Sequence, residues 1–332
     1  MRKFFLFVLQ ECYNPSMDPV THTLIGVGTA NAFFRRSIGP KAVIIMALAS
    51  NLPDVDALVH LTGDPTEVLM RRTFGHSILL IPIWALAFSA ILQRIYSDLR
   101  LITLFRMVVL GAVLHLFFDL VNSFGVVLLW PLSDWRPELS IIFIIDLFLT
   151  GLLAMPLFLL LFRKMRPYLE LLSQISLVCV LVYVIFCGIM RFSATGLLKI
   201  KSKQLGVHPI FSYVFPEPLG AHRWRGVLRE KDIYHVYLIH PFSNRLELKK
   251  EIKTSEENPI VKQARNTSLA GKIEWFFKAP VWKLRNHSAG EETNTKNAAE
   301  VRVFDLRFMS LIMQRKIPFI FHFPIRKNVP AE

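Results

Sequence analysis

The chain has 332 residues, 53% of them apolar and only 19% charged, with a mean hydropathy of +0.41. That balance excludes a disordered or collagen-like chain and leaves too few charges to coat an ordinary soluble globule. Three cysteines, Cys12, Cys179 and Cys187, exclude a disulfide framework and a CxxC zinc site.

The net charge of +14 is unevenly placed. From Arg191 to Glu332 there are 25 Lys and Arg against 13 Asp and Glu, whereas residues 1–190 hold 14 against 12. The apolar residues are skewed toward the first part. The chain therefore reads as a membrane region followed by a basic polar domain. A basic domain beside a membrane points to anionic lipid headgroups. No RNA-binding signature or zinc-finger spacing occurs, so membrane lipids are the expected partners and nucleic acid is not. No protein partner is indicated.

In chain order, residues 1–16 have a basic start and a brief apolar run but no clear cleavage site. Met17, just before DPVTHTLIG, reads as a natural beginning, which makes 1–16 an optional extension. Residues 20–34 and 41–50 are short and rich in small residues. The stretches 76–96, 102–121, 140–162 and 169–190 each approach the roughly 20 apolar residues that a helix needs to cross a bilayer. Backbone polar groups in lipid must be satisfied internally, so the expected architecture over 17–192 is an α-helical integral membrane bundle of four to six helices. Residues 193–332 read as a smaller, mainly β, extramembrane domain. Its expected strands lie in KDIYHVYLIHPF, KIEWFFKAPVWKL and 301–323, with a polar loop at 285–300.

Basic residues in the short connections set the orientation. Arg35, Arg36, Lys41, Arg94, Arg100, Arg106, Arg163, Lys164 and Arg166 fall on one side, against Arg71, Arg72 and Arg136 on the other. The first side is expected to be cytoplasmic, and the second, with the C-terminal domain, external or periplasmic.

Polar groups inside such a bundle are expensive and need a reason. His22 opens the first helix; Asn51, Asp54 and Asp56 follow the second in ASNLPDVD; His76 opens the third; His115 and Asp119 lie late in the fourth. An up-and-down trace brings all of them to the external face. His115 and Asp119 are spaced i, i+4 and share a helix face, which Asn122 continues. Imidazole and carboxylate without thiolate suit Zn²⁺, with Mn²⁺ or Fe²⁺ as alternatives. The number of donors allows one or two ions, and a two-ion site would clamp the oxygens of a phosphoester. Asp54 and Asp56 are the candidate catalytic carboxylates, either of them able to be a ligand or a general base. Arg71 and Arg72 are candidates for gripping a substrate phosphate, with Asn122 beside them. Asn51 and Asp146 are expected behind the ligands, Asp146 alternatively as the partner of an arginine.

Five segments in this order, MDPVTHTLIG (17–26), NLPDVD (51–56), RRTFGHS (71–77), HLFFDLVNSFGVVLLWP (115–131) and FIIDLF (143–148), resemble a bacterial inner-membrane family of metal-dependent hydrolases whose founding members are described as LexA-regulated or LexA-binding. The resemblance covers about residues 17–190, with a looser echo at 215–237. It implies a membrane-bound hydrolase in the bacterial inner membrane. A more distant likeness, to zinc-dependent phospholipase C and P1-type nucleases, rests on the order His22, Asp54 or Asp56, His76, and the HxxxD pair His115 and Asp119. It implies a first metal on Asp54 or Asp56, His76, His115 and Asp119, and a second begun by His22 with Asp119 bridging. The further HxxxE pair of those enzymes is missing here. Cleavage of a phosphoester in a lipid, a lipid-linked phosphate or a phosphorylated small molecule is the expected reaction. A non-catalytic membrane regulator working through the basic domain, or a metal or ion transporter, are the alternatives.

Overall fold

The computed structural model describes residues 19–62, 69–286, 298–313 and 319–326. The expected optional extension 1–16 and most of the expected loop at 285–300 lie outside the described residues. Among the described residues, one compact unit runs to Phe192 and takes in Pro216–His222; the other comprises Ser193–Phe215 and the chain from Arg223 onward.

The first unit is helical. Helix α1 (Pro19–Thr29) continues through a π-turn, Ala30–Phe34, and a last turn, Arg35–Ile38, that ends at Gly39 with φ 83°. Helix α2 (Lys41–Ala49) follows, then a 3₁₀ segment, Leu52–Thr62. A 3₁₀ turn, Phe74–His76, leads to α3 (Ile81–Ile95), α4 (Leu101–Val121), α5 (Leu147–Leu159) and α6 (Leu169–Gln204). Among the described residues, two segments are long and apolar enough to cross a bilayer: α4, and the run Arg163–Gln204 that contains α6. At 15 and 13 residues, α3 and α5 are shorter than the apolar stretches that hold them.

The shortening has local causes. Pro82 sits in the first turn of α3, so Ser77–Leu80 form a tight turn before it. Residues 139–142 serve the end of α4 instead of forming helix. The N–H groups of Leu139, Ser140 and Ile141 donate to the carbonyls of Leu120, Asn122 and Val121, which a helix end leaves without partners. Asp146 then caps α5, its carboxylate accepting from the N–H of Phe148 and Leu149 at 3.0 Å each.

Glycines set how closely α1, α2 and α4 approach. A Cβ on Gly26 would lie 2.4 Å from the Met46 carbonyl oxygen, and one on Gly111 would lie 2.7 Å from Ala49 Cβ. Away from these seams the helices present apolar side chains outward: Ile83, Leu86, Ile91 and Ile95 on α3, and Val178, Leu181, Val182, Ile185 and Ile189 on α6, are exposed. Water would not tolerate that much contiguous apolar surface on a monomer.

The second unit carries two antiparallel sheets. One has the order β1 (Phe211–Pro216), β2 (Trp224–Glu230), β3 (Ile233–His240), β4 (Arg245–Lys253). The other is β5 (Pro280–Asn286), β6 (Ala298–Asp305), β7 (Phe321–Arg326). Helices α7 (Pro259–Arg265) and α8 (Ser268–Phe276) separate them. The stretch read as a strand from Lys272 onward is therefore helix as far as Phe276. Thr267 caps α8 through the N–H of Ala270, and Ala270, Ile273 and Phe276 are buried at helical spacing. The core around Phe215, Val227, Tyr234, Val236 and Val281 is apolar. Buried Asp305 holds the backbone N–H groups of Lys278, Ala279 and Arg307 beside it.

Candidate metal centre

The first unit brings His22, Asp54, Asp56, His76, His115 and Asp119 together. His115 and Asp119 sit one turn apart on α4, both fully buried. Gly111, a turn earlier on the same stripe, admits the end of α2, and His115 Nδ1 then donates to the Ser50 carbonyl at 2.8 Å. Gly75 does the same for the next histidine. A Cβ there would lie 2.1 Å from the Pro53 carbonyl oxygen, so the turn carrying His76 rests directly on the segment carrying Asp54 and Asp56.

Asp54 and Asp56, two residues apart, do different things. Asp56 is fully buried, and its Oδ2 accepts from His76 Nδ1 at 2.8 Å and from the Thr73 N–H at 3.0 Å. Asp54 points its Oδ1 at the opposite side of the cluster, 3.8 Å from both His76 Nε2 and His115 Nε2. That oxygen is buried and has no hydrogen-bond partner.

The Nδ1 of each ring is thus engaged, and the two Nε2 atoms meet at 3.0 Å. Asp119 Oδ2 stands 3.0 Å from the first and 3.3 Å from the second. Burial opposes charge on His76, but the Asp56 carboxylate, with hydrogen bonds that His76 donates to Asp119 and Asp56, outweighs it and raises its pKa to about 9. One proton on His76 cannot satisfy His115 Nε2, Asp119 Oδ2 and Asp54 Oδ1 at once. A cation can, and the donor set fits one. Among the described residues, two groups have the spacing to hold a metal ion: His22, His115 and Asp119, and Asp54, His76 and His115, with ligand atoms within 4.8 Å of one another in each.

The remaining side of Asp119 faces Arg72. Its guanidinium lies 2.7 Å from Asp119 Oδ1, donates to Asn122 Oδ1 at 2.9 Å and packs 4.7 Å over the Phe124 ring. Arg72 has φ 56°, a left-handed conformation that non-glycine residues seldom adopt, and its carbonyl accepts from Val127 N. The arginine expected to meet substrate is turned inward onto a carboxylate. Arg71 is also buried, and its carbonyl accepts from Arg136. Asn122 binds Arg72, the Phe124 N–H and Asp119. His22 stacks on His115 with centroids 3.8 Å apart, its Nε2 3.2 Å from Asp119 Oδ1. A cavity of about 20 Å³, room for one water or a bare ion, is lined by Thr21, His22, Arg72, Asp119, Asn122 and Asp146 among others. Asp146 reaches Tyr183 rather than an arginine, accepting its hydroxyl at 2.9 Å. Asn51 donates to Thr23 and the Ala47 carbonyl, tying α2 to α1 behind His22.

The sequence signature described as YdjM inner membrane protein matches residues 17–194, more than half of the chain. The chain belongs to this family. The match contains every residue of the centre described above, and its description names a location, the inner membrane. A Bacillus subtilis (strain 168) protein, described as uncharacterized protein YfhP, is 24% identical over 313 residues, covering 89% of this chain and 88% of the relative. No solved structure matches.

The residues that sequence reading did not single out are Ser50, Thr73 and Phe124, which act on the cluster through a carbonyl, an N–H and a ring face. Asp56→Asn tests the orienting contact. It keeps the size of the side chain but removes the charge that holds His76. Partners of this kind change metal affinity about 10–100-fold, and a loss in that range is expected by chelator competition.

Proposed function

We propose that this protein is a membrane-bound, metal-dependent hydrolase that cleaves a phosphoester in a lipid or lipid-linked phosphate. The observation that carries the reading is the meeting of His76 and His115 Nε2 at 3.0 Å beside two carboxylate oxygens, with both Nδ1 atoms engaged elsewhere. Five separations among the four atoms run from 3.0 to 3.8 Å. Ligands roughly 2.0–2.1 Å from a tetrahedral Zn²⁺ stand about 3.3 Å apart. Mn²⁺ or Fe²⁺ accepts the same donors.

On this reading His76, His115 and Asp119 would hold the ion, three protein ligands of the kind catalytic zinc sites use. A divalent ion would supply Lewis acidity toward an ester oxygen and acidify water. Asp54 faces those ligand atoms and is, at 19%, the most exposed of the four side chains, so its Oδ1 would serve as the base for water rather than as a fourth ligand. Asp56 and the Ser50 carbonyl fix the two rings in the tautomer that offers Nε2. Arg72 and Asn122 hold Asp119 in place.

Location supports a lipid substrate. Asp119 is two residues and His115 six from the end of α4, so the centre lies within about 9 Å of that helix end, near the bilayer boundary. The exposed apolar faces of α3 and α5 support further membrane segments and a multi-pass protein. The basic-residue bias supports a periplasmic centre.

The test is turnover by detergent-purified, zinc-loaded protein on phosphodiesters, phospholipids and lipid-linked phosphates. The reading expects headgroup or phosphate release that a chelator abolishes and zinc restores. Metal-replete protein that turns over none of these classes would overturn it.

A further inference from the structure

The outer oxygen of Asp119 is where a second ion would have to bind, because a carboxylate bridging two ions gives one oxygen to each. We infer that the centre holds a single divalent ion and that Arg72 occupies the place of the second cation. The inference rests on the metal reading proposed above.

Three observations carry it. First, the two candidate ligand groups share His115. Its Nδ1 is bonded to the Ser50 carbonyl, so it has one nitrogen to give. Once His115 Nε2 serves the ion at His76, the other group falls to two donors, His22 Nε2 and Asp119 Oδ1.

Second, His22 and His115 are stacked at 3.8 Å with their planes only 21° apart. Imidazole lone pairs lie in the ring plane, so stacked rings aim theirs side by side, and the two rings cannot converge on one ion. A second ion would therefore need a place of its own, at Asp119 Oδ1.

Third, that position holds a cation of the protein's own. Arg72 lies 2.7 Å from Asp119 Oδ1, and guanidinium does not deprotonate in proteins. It is 2% exposed and fixed by Asn122, by the face of Phe124 and by a left-handed backbone, so it has nowhere to retreat. A divalent ion bound to Oδ1 would sit against that charge with two protein ligands. Arg72 neutralises the same carboxylate oxygen without needing any. His22 is left as a wall of the cavity, outside the ion's ligand set.

The experiment counts ions. Wild-type protein, His22→Ala, Arg72→Met and His115→Ala are purified in detergent, equilibrated with excess zinc, desalted and analysed for metal per chain, with His115→Ala as the blank. The inference expects one ion in the wild type and one in His22→Ala. Arg72→Met, if it folds, is expected to gain ions above one. Two ions in the wild type falling to one in His22→Ala would overturn the inference and leave the metal reading intact. Loss of the ion in His22→Ala would also overturn it, by making His22 an essential ligand. Wild-type protein at the level of the blank would overturn the metal reading and this inference with it.

Discussion

Replacement of His115 by alanine is expected to strip the centre of metal while the chain remains inserted. The ring is the one side chain common to both ligand groups, and its Nε2 lies within 3.8 Å of His76, Asp54 and Asp119. Removing a partner that merely orients a ligand lowers affinity about 10–100-fold, so removing the ligand itself should exceed about 100-fold. The substitution also leaves the buried Ser50 carbonyl without its donor, at about 1–3 kcal/mol. That penalty is small beside the apolar packing of α2 and α4, where Ile45, Met46, Ala49, Leu104, Met107 and Val108 are buried together. Chelator competition and elution volume separate the two effects: metal retention should collapse while the elution volume holds. Wild-type affinity in the variant would remove His115 from the ligand set.

Gly111→Val is expected to destabilise the first unit sharply. Its Cβ would lie 2.7 Å from Ala49 Cβ and 2.9 Å from the Ala49 carbonyl carbon and Ser50 N. Two of those three atoms are backbone, so α2 as a whole must move. Overpacking of this kind costs about 1–3 kcal/mol, and displacement of Ser50 removes the His115 hydrogen bond as well. Gly151→Ala on α5 is the control. A Cβ there meets nothing within 4 Å, and the helix gains up to about 1 kcal/mol from losing a glycine. Thermal unfolding in detergent should fall sharply for Gly111→Val and hold or rise for Gly151→Ala. Equal behaviour would mean that the α2–α4 approach does not set the centre.

The polar cluster was legible because polar groups at the ends of apolar segments have few reasons to be there, and because His115 and Asp119 stand at i, i+4. The division of labour between Asp54 and Asp56 was not. Spacing puts both in one turn, but only the contact of Gly75 with Pro53 decides which carboxylate lies under His76 and which faces the ligand atoms. The inward turn of Arg72 was hidden for a similar reason, since nothing local in RRTFGHS announces a left-handed arginine. Helix lengths were overestimated where apolar runs continue into segments with other duties, such as 139–142 at the end of α4. In the second unit, Thr267 and the spacing of Ala270, Ile273 and Phe276 carried a helix signal that the aromatic run after it obscured.

The 36 residues of α6 span about 54 Å, against a hydrocarbon core of about 30 Å. Its uncharged stretch, Leu171–Met190, is long enough by itself to match that core. Tyr183, whose hydroxyl donates to Asp146, lies seven residues, about 10 Å along the helix, inside the end of that stretch. A polar contact there persists because each partner satisfies the other.

The central claim is that His76, His115 and Asp119 share one ion. X-ray absorption at the zinc edge of the zinc-loaded wild-type protein tests it most directly. The account predicts a low-coordinate first shell of two imidazole nitrogens with carboxylate or water oxygen at roughly 2.0–2.1 Å, reduced to one imidazole in His76→Ala. A shell without imidazole, or one unchanged by that substitution, would contradict it.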